Sequence, residues 1–119
     1  MDSNLESATL NVESRLLGGL WGAIIGDALG VPVEFVSREE VRRNPITGMR
    51  GYGTFNLPPG TWSDDSSLLL CTVESLTNNL FTNQMGKLFM QWLSEGYCTP
   101  WGDAFDVGNS TLSSIRRMM

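Results

Sequence analysis

An all-α fold follows from three observations. Apolar residues recur at helical spacing in four separate stretches of the 119-residue chain. Capping hydroxyls, glycines and prolines fall between those stretches, where helices start and stop. No strand pattern competes seriously with these helical stretches.

The elements follow in order. Residues 1–11 are polar and acidic and read as a loose, flexible start. From Asn11 the positions Leu16, Leu17, Leu20, Trp21, Ile24, Ile25, Ala28 and Leu29 recur at helical spacing and predict a core helix. Gly18, Gly19, Gly22 and Gly26 would each cost about 1 kcal/mol against alanine in a helix interior. The expectation is therefore a helix packed closely against other backbones, ended by Val31-Pro32. Ser37-Arg38-Glu39-Glu40 is a capping box that opens a short helix to about Arg43, before Asn44-Pro45. Residues 46–62 hold Gly48, Gly51, Gly53, Pro58, Pro59 and Gly60 and read as a long loop.

Leu69, Val73, Leu76 and Leu80 mark the next helix, starting near Ser63–Ser66. Asn83–Gly96 follows with Met85, Leu88, Phe89, Trp92 and Leu93 on one face and Gly96 as C-cap. A loop through Pro100 and Asp106-Val107-Gly108-Asn109 leads to a last helix that opens near Ser110 and includes Leu112 and Ile115. Arg116-Arg117-Met118-Met119 stops about two turns into it without a cap, so this helix reads as cut.

Composition bounds the chemistry. The length is a prior for one domain, residues 1–119, large enough to bury a core. Hydrophobic residues make up 41% and charged residues 18%, a globular rather than a disordered balance. The net charge of −5 offers no basic stripe for a phosphate backbone, which sets nucleic acid aside. The absence of histidine removes Ser-His-Asp and Cys-His catalysis and most zinc and non-haem iron sites. Chemistry must rest on carboxylates, hydroxyls, amides and a hard metal. Cys71 and Cys98 make no disulfide framework, and Cys71 sits in an apolar run as a reduced core thiol. The apolar stretch Leu16–Val33 carries Asp27 and five glycines, a poor composition for a membrane span. With no basic region at the N-terminus, the expectation is a soluble cytoplasmic protein.

Three motifs bear on function. In Gly60-Thr61-Trp62-Ser63-Asp64-Asp65-Ser66, paired acids at a helix start have a structural explanation, worth roughly 0.3–1 kcal/mol each against the helix dipole. They also offer, with the hydroxyl, the hard oxygens that magnesium takes. In Gly26-Asp27-Ala28-Leu29-Gly30-Val31-Pro32-Val33-Glu34-Phe35, a buried acid would need a partner. Glu34, just past the proline, could act as a general base. Asp106-Val107-Gly108-Asn109-Ser110-Thr111 reads first as helix capping, and second as an anion-friendly helix start.

In that order, from about Leu16 to Ile115, the three motifs resemble the N-terminal part of the ADP-ribosylglycohydrolase family. The resemblance implies a helical fold around two magnesium ions. It implies Ser63, Asp64 and Asp65 as metal ligands, with serine where the family more often has threonine. It implies Glu34 and Asp65 as catalytic residues, and Asp106, Gly108, Asn109, Ser110 and Thr111 as the residues that hold ADP-ribose. The family's second ligand set comes from an Asp-x-Asp-Thr type motif near the C-terminus, and no Asp-x-Asp occurs in this sequence.

The expected function is magnesium-dependent hydrolysis of the N- or O-glycosidic bond between ADP-ribose and a protein side chain or small-molecule acceptor. The rival is a non-catalytic module that binds ADP-ribose or another protein. An unrelated magnesium phosphohydrolase is a weaker third, since there is no P-loop. The helices look apolar enough to need an oligomer or a second chain over them.

Overall fold

The computed structural model describes residues 2–78 and 82–119. Among them five α-helices form: α1 (Asp2–Gly30), α2 (Arg38–Arg43), α3 (Asp64–Thr77), α4 (Thr82–Glu95) and α5 (Asn109–Met118). Two 3₁₀ turns, Val31–Val33 and Gly53–Phe55, punctuate the loops. No strand occurs among the described residues, only an isolated antiparallel bridge between Tyr52 and Leu57. The all-α expectation holds.

Helix α1 differs from its expectation at both of the points that matter. Residues 2–11 continue the helix instead of forming a loose start, since neither glycine nor proline interrupts the chain before Gly18. The close backbone packing expected at Gly18, Gly19, Gly22 and Gly26 is absent, for nothing lies within 4 Å of a Cβ built on any of them. Leu16, Leu17, Trp21 and Ile25 are exposed beside those glycines. Residues Asn11–Val33 are long and apolar enough to cross a membrane by length and composition alone, with a mean hydropathy of 1.6. Burial begins only at the C-terminal end of α1, where Ala28 and, in the following turn, Val31 and Pro32 are covered.

Helices α3, α4 and α5 pack in succession around Cys71, Trp92 and Ile115, with Leu68, Leu88, Phe89, Leu93 and Val107 against them. The buried side of α3 is not its leucine stripe. It is Ser66, Ser67, Cys71 and Ser75, while Leu76 is exposed and Leu80 lies outside the described residues. Small side chains on that face leave room for the Trp92 indole, which is almost wholly buried. Gly96 ends α4 with a φ of 70°, the left-handed C-cap that the sequence predicts. The radius of gyration is 17.3 Å, against about 13.5 Å for a compact domain of this length. The chain does bury a core, but a small one, with α1 extending away from it.

Two loops position the site. Ser37 caps α2 by accepting a hydrogen bond from the Glu40 amide, as the capping box predicts. Thr54 Oγ1 donates to the Glu34 carbonyl over 2.6 Å, which ties the 46–62 loop to the turn after α1. Gly53 has a φ of 56° and lies so close to Pro32 that any Cβ would collide with the Pro32 carbonyl. Trp62 Nε1 donates to the Cys98 carbonyl over 3.1 Å and Trp101 Nε1 to Thr61 Oγ1 over 2.8 Å. These bonds hold the loop between α4 and α5 against the strand of backbone that enters α3.

Candidate active site

The start of α3 is fixed by a carboxylate from another helix. Asp27 Oδ1 accepts from Ser63 Oγ over 2.7 Å. Asp27 Oδ2 accepts from the Ser63 amide over 2.9 Å, the Ser66 amide over 3.2 Å and Ser66 Oγ over 2.5 Å. A helix start leaves its first amides without intrahelical partners. Asp27 satisfies two such donors and brings negative charge to the positive end of the α3 dipole. Ser63 is itself the N-cap and accepts from the Asp65 amide. The buried serines Ser63 and Ser66 are thus locked to the end of α1.

Glu34 and Asp106 line the same cavity, with their carboxyls near enough to interact. Burial, then the Asp106 hydrogen bond, then the charges of Asp106, Asp64 and Asp27 push the Glu34 carboxyl up to about 7. Their chain neighbours explain why the two meet. Phe35, beside Glu34, packs tilted against Phe55 with centroids 6.4 Å apart, and Phe55 meets Phe105, beside Asp106, edge-on at 5.1 Å. Phe35 and Asp106 both adopt left-handed backbone, with φ of 63° and 57°. Such conformations cost of order 1–3 kcal/mol and gather at functional sites.

One cavity of about 240 Å³ is lined by Asp27, Gly30, Val31, Glu34, Ser63, Asp65 and Asp106. It has room for a sugar. The sequence-predicted residues Glu34, Ser63, Asp65 and Asp106 meet here. Asp64 stands beside them, its carboxyl raised by burial first and then by the charges of Asp65 and Asp106. Gly108 caps α5 without any side-chain hydrogen bond, and Asn109 opens that helix at the surface. Ser110 and Thr111 face elsewhere. They line a separate, largely apolar cavity of about 440 Å³ with Leu68, Met85, Phe89, Ile115 and Met118. Asp27 is the residue whose task the sequence reading left unassigned. Its signal was present in the sequence as a carboxylate in an apolar, glycine-rich helix, which had to find donors somewhere.

The donor set suits magnesium in kind, because every ligand on offer is a hard oxygen. Among the described residues no three of His, Cys, Asp or Glu converge closely enough to enclose an ion on their own. The residues therefore offer part of a coordination shell, which is the usual case for magnesium, held by one or two carboxylates and several waters.

The geometry defines an all-α protein with an acid-walled, sugar-sized cavity at the junction of two helices. The chain belongs to the ADP-ribosylglycohydrolase family, whose model matches residues 8–119. It is 35% identical over 104 residues to an ADP-ribosylarginine hydrolase of Serratia proteamaculans, covering 86% of this chain and 28% of that protein. It is 33% identical over 113 residues to the ADP-ribosyl-[dinitrogen reductase] glycohydrolase of Rhodospirillum rubrum, covering 92% of this chain and 36% of that protein. A putative ADP-ribosyl glycohydrolase of Acanthamoeba polyphaga mimivirus is 26% identical over 112 residues. The chain thus spans about a third of the length of these relatives.

Proposed function

We propose that this chain carries the acidic part of an ADP-ribosyl glycohydrolase site, for cleavage of the bond between the ribose anomeric carbon and a protein side chain or small-molecule acceptor. The observation that supports it most is that Glu34, Ser63, Asp65 and Asp106 line one cavity. A carboxyl that titrates near neutrality can take a proton from an attacking water and return one to the leaving group. Asp106 orients it. The negative wall of Asp64 and Asp65 favours the positive charge that builds on the ribose in an oxocarbenium-like transition state. Ser63, Asp64 and Asp65 would hold magnesium. When bound, it would neutralise that wall and anchor the ribose hydroxyls. The same wall repels pyrophosphate, which would lie on the side of α5, whose first-turn amides no side chain caps. Gly108 and Asn109 are the residues there.

ADP-ribosylated arginine on a protein is the first substrate to try, given what the relatives are named for. We place it in the cytoplasm without a membrane partner, a reading supported by the bonds that commit Asp27, within the apolar stretch of α1, to α3. Release of free ADP-ribose from arginine-modified protein with magnesium, lost in Asp64→Ala and Glu34→Gln, is the expected result. No release, with no heat on titration of magnesium or ADP-ribose, would overturn it.

A second reading is favoured by the exposed face of α1 and by the partial coordination shell. In it the chain is a module that binds ADP-ribose or another protein without turnover. Heat on ADP-ribose titration without any release identifies that case.

A further inference from the structure

The hydroxyl of Ser63 is not free to turn. As a carboxylate, Asp27 can only accept. Its Oδ1 lies 2.7 Å from Ser63 Oγ, so the Ser63 hydrogen points at Asp27. One lone pair of Ser63 Oγ receives the Asp65 amide at 3.4 Å. What remains for the cavity that Ser63 lines is a lone pair and no proton. Ser66 is held the same way, with both its amide and its hydroxyl on Asp27 Oδ2.

We propose that Asp27 is a positioning residue that sets the polarity of Ser63: by taking the hydroxyl proton it makes Ser63 Oγ an acceptor-only ligand toward the cavity. Such an oxygen accepts a divalent cation or a sugar hydroxyl and rejects an anion. This rests on the magnesium reading of the site above and adds to it a residue outside the ligand set.

The geometry makes one isosteric substitution unusually informative. In Asp27→Asn, the carboxamide oxygen must replace Oδ2, because the Ser63 and Ser66 amides can only donate. The amide nitrogen then falls at Oδ1 and donates to Ser63 Oγ. The Ser63 hydrogen is forced to turn away from residue 27, and the lone pair is lost to the cavity.

Two measurements on the whole chain test this. The first is Mn²⁺ affinity by paramagnetic titration, in a cycle of Asp27→Asn and Ser63→Ala, with helicity followed by circular dichroism. The expected result is a loss of about tenfold or more in Asp27→Asn at unchanged helicity, and a several-fold smaller loss when the same change is made in the Ser63→Ala background. Loss of one negative charge alone would weaken binding equally in both backgrounds. The second needs no ion. NMR should show a slowly exchanging Ser63 hydroxyl proton coupled to the Asp27 carboxyl carbon, replaced in Asp27→Asn by a side-chain amide proton coupled toward Ser63. Equal losses in the two backgrounds overturn the role of Asp27, and a rapidly exchanging hydroxyl overturns its orientation. A chain that binds no Mn²⁺ but keeps the coupled hydroxyl overturns the magnesium reading instead.

Discussion

Glu34 and Asp106 meet at one cavity, although one follows the first helix and the other precedes the last. With Asp27 and Asp65 they gather four carboxylates into one small region. Its electrostatics make the fold sensitive to pH. Glu34 is raised from 4.5 to about 7 and Asp64 is also raised, so the folded chain holds protons that the unfolded chain has released. Stability from these groups is complete below the ordinary carboxylate range and falls as pH rises through 7. Thermal melting followed by circular dichroism should give a higher midpoint at pH 5 than at pH 8. Glu34→Gln should shrink that difference, with Asp64 supplying what is left.

The same crowding makes magnesium a pH-dependent stabiliser. An ion bound by the ionised acids competes with their protons. Millimolar magnesium should raise the melting midpoint at pH 8 and do little at pH 5. An equal rise at both values would show that the ion binds away from Glu34 and Asp64.

Gly53→Ala tests the support behind Glu34. The new methyl would meet the Pro32 carbonyl and would sit on backbone with a φ of 56°. The cost should exceed about 1 kcal/mol. The turn after α1 must shift, so the Glu34 titration followed by NMR should move down toward 4.5 as it parts from Asp106.

Trp92→Ala tests the core. Trp92 is nearly fully buried between Cys71 and Ile115. Removal of such an aromatic side chain costs about 3–5 kcal/mol. In a core this small that should abolish cooperative unfolding, seen as a broad or absent melting transition, while α2, which lies outside the cluster, keeps its capping contact.

Much of the architecture was legible in the sequence because helix ends are decided locally. Ser37 with Glu40, Pro32 after α1 and Gly96 after α4 each act within one turn of their own position. The meeting of Glu34 with Ser63 and Asp65 was legible only through the order of three motifs. What local rules could not show was anything set by contacts across the chain. The partner of Asp27 lies a whole loop and helix away, and the pairing of Glu34 with Asp106 depends on three phenylalanines from separate segments. The glycines of α1 were misread for a related reason. Their spacing permits close approach, but permission is not occupancy, and no described residue uses it. The placement of Ser110 and Thr111 on an apolar cavity follows from the rotation of α5, which a short motif does not determine.

The open glycine column has a practical meaning for anyone who handles this chain. Gly18, Gly22 and Gly26 follow one another every fourth residue along one side of α1, with clear space above each. Alanine at each position should strengthen the helix by up to about 1 kcal/mol. Three methyl groups would also fill part of the open space above that side of the helix. Stabilising the purified chain in this way trades away the smoothness of its surface, so variants chosen for heat resistance and variants chosen for assembly would diverge at the same three positions.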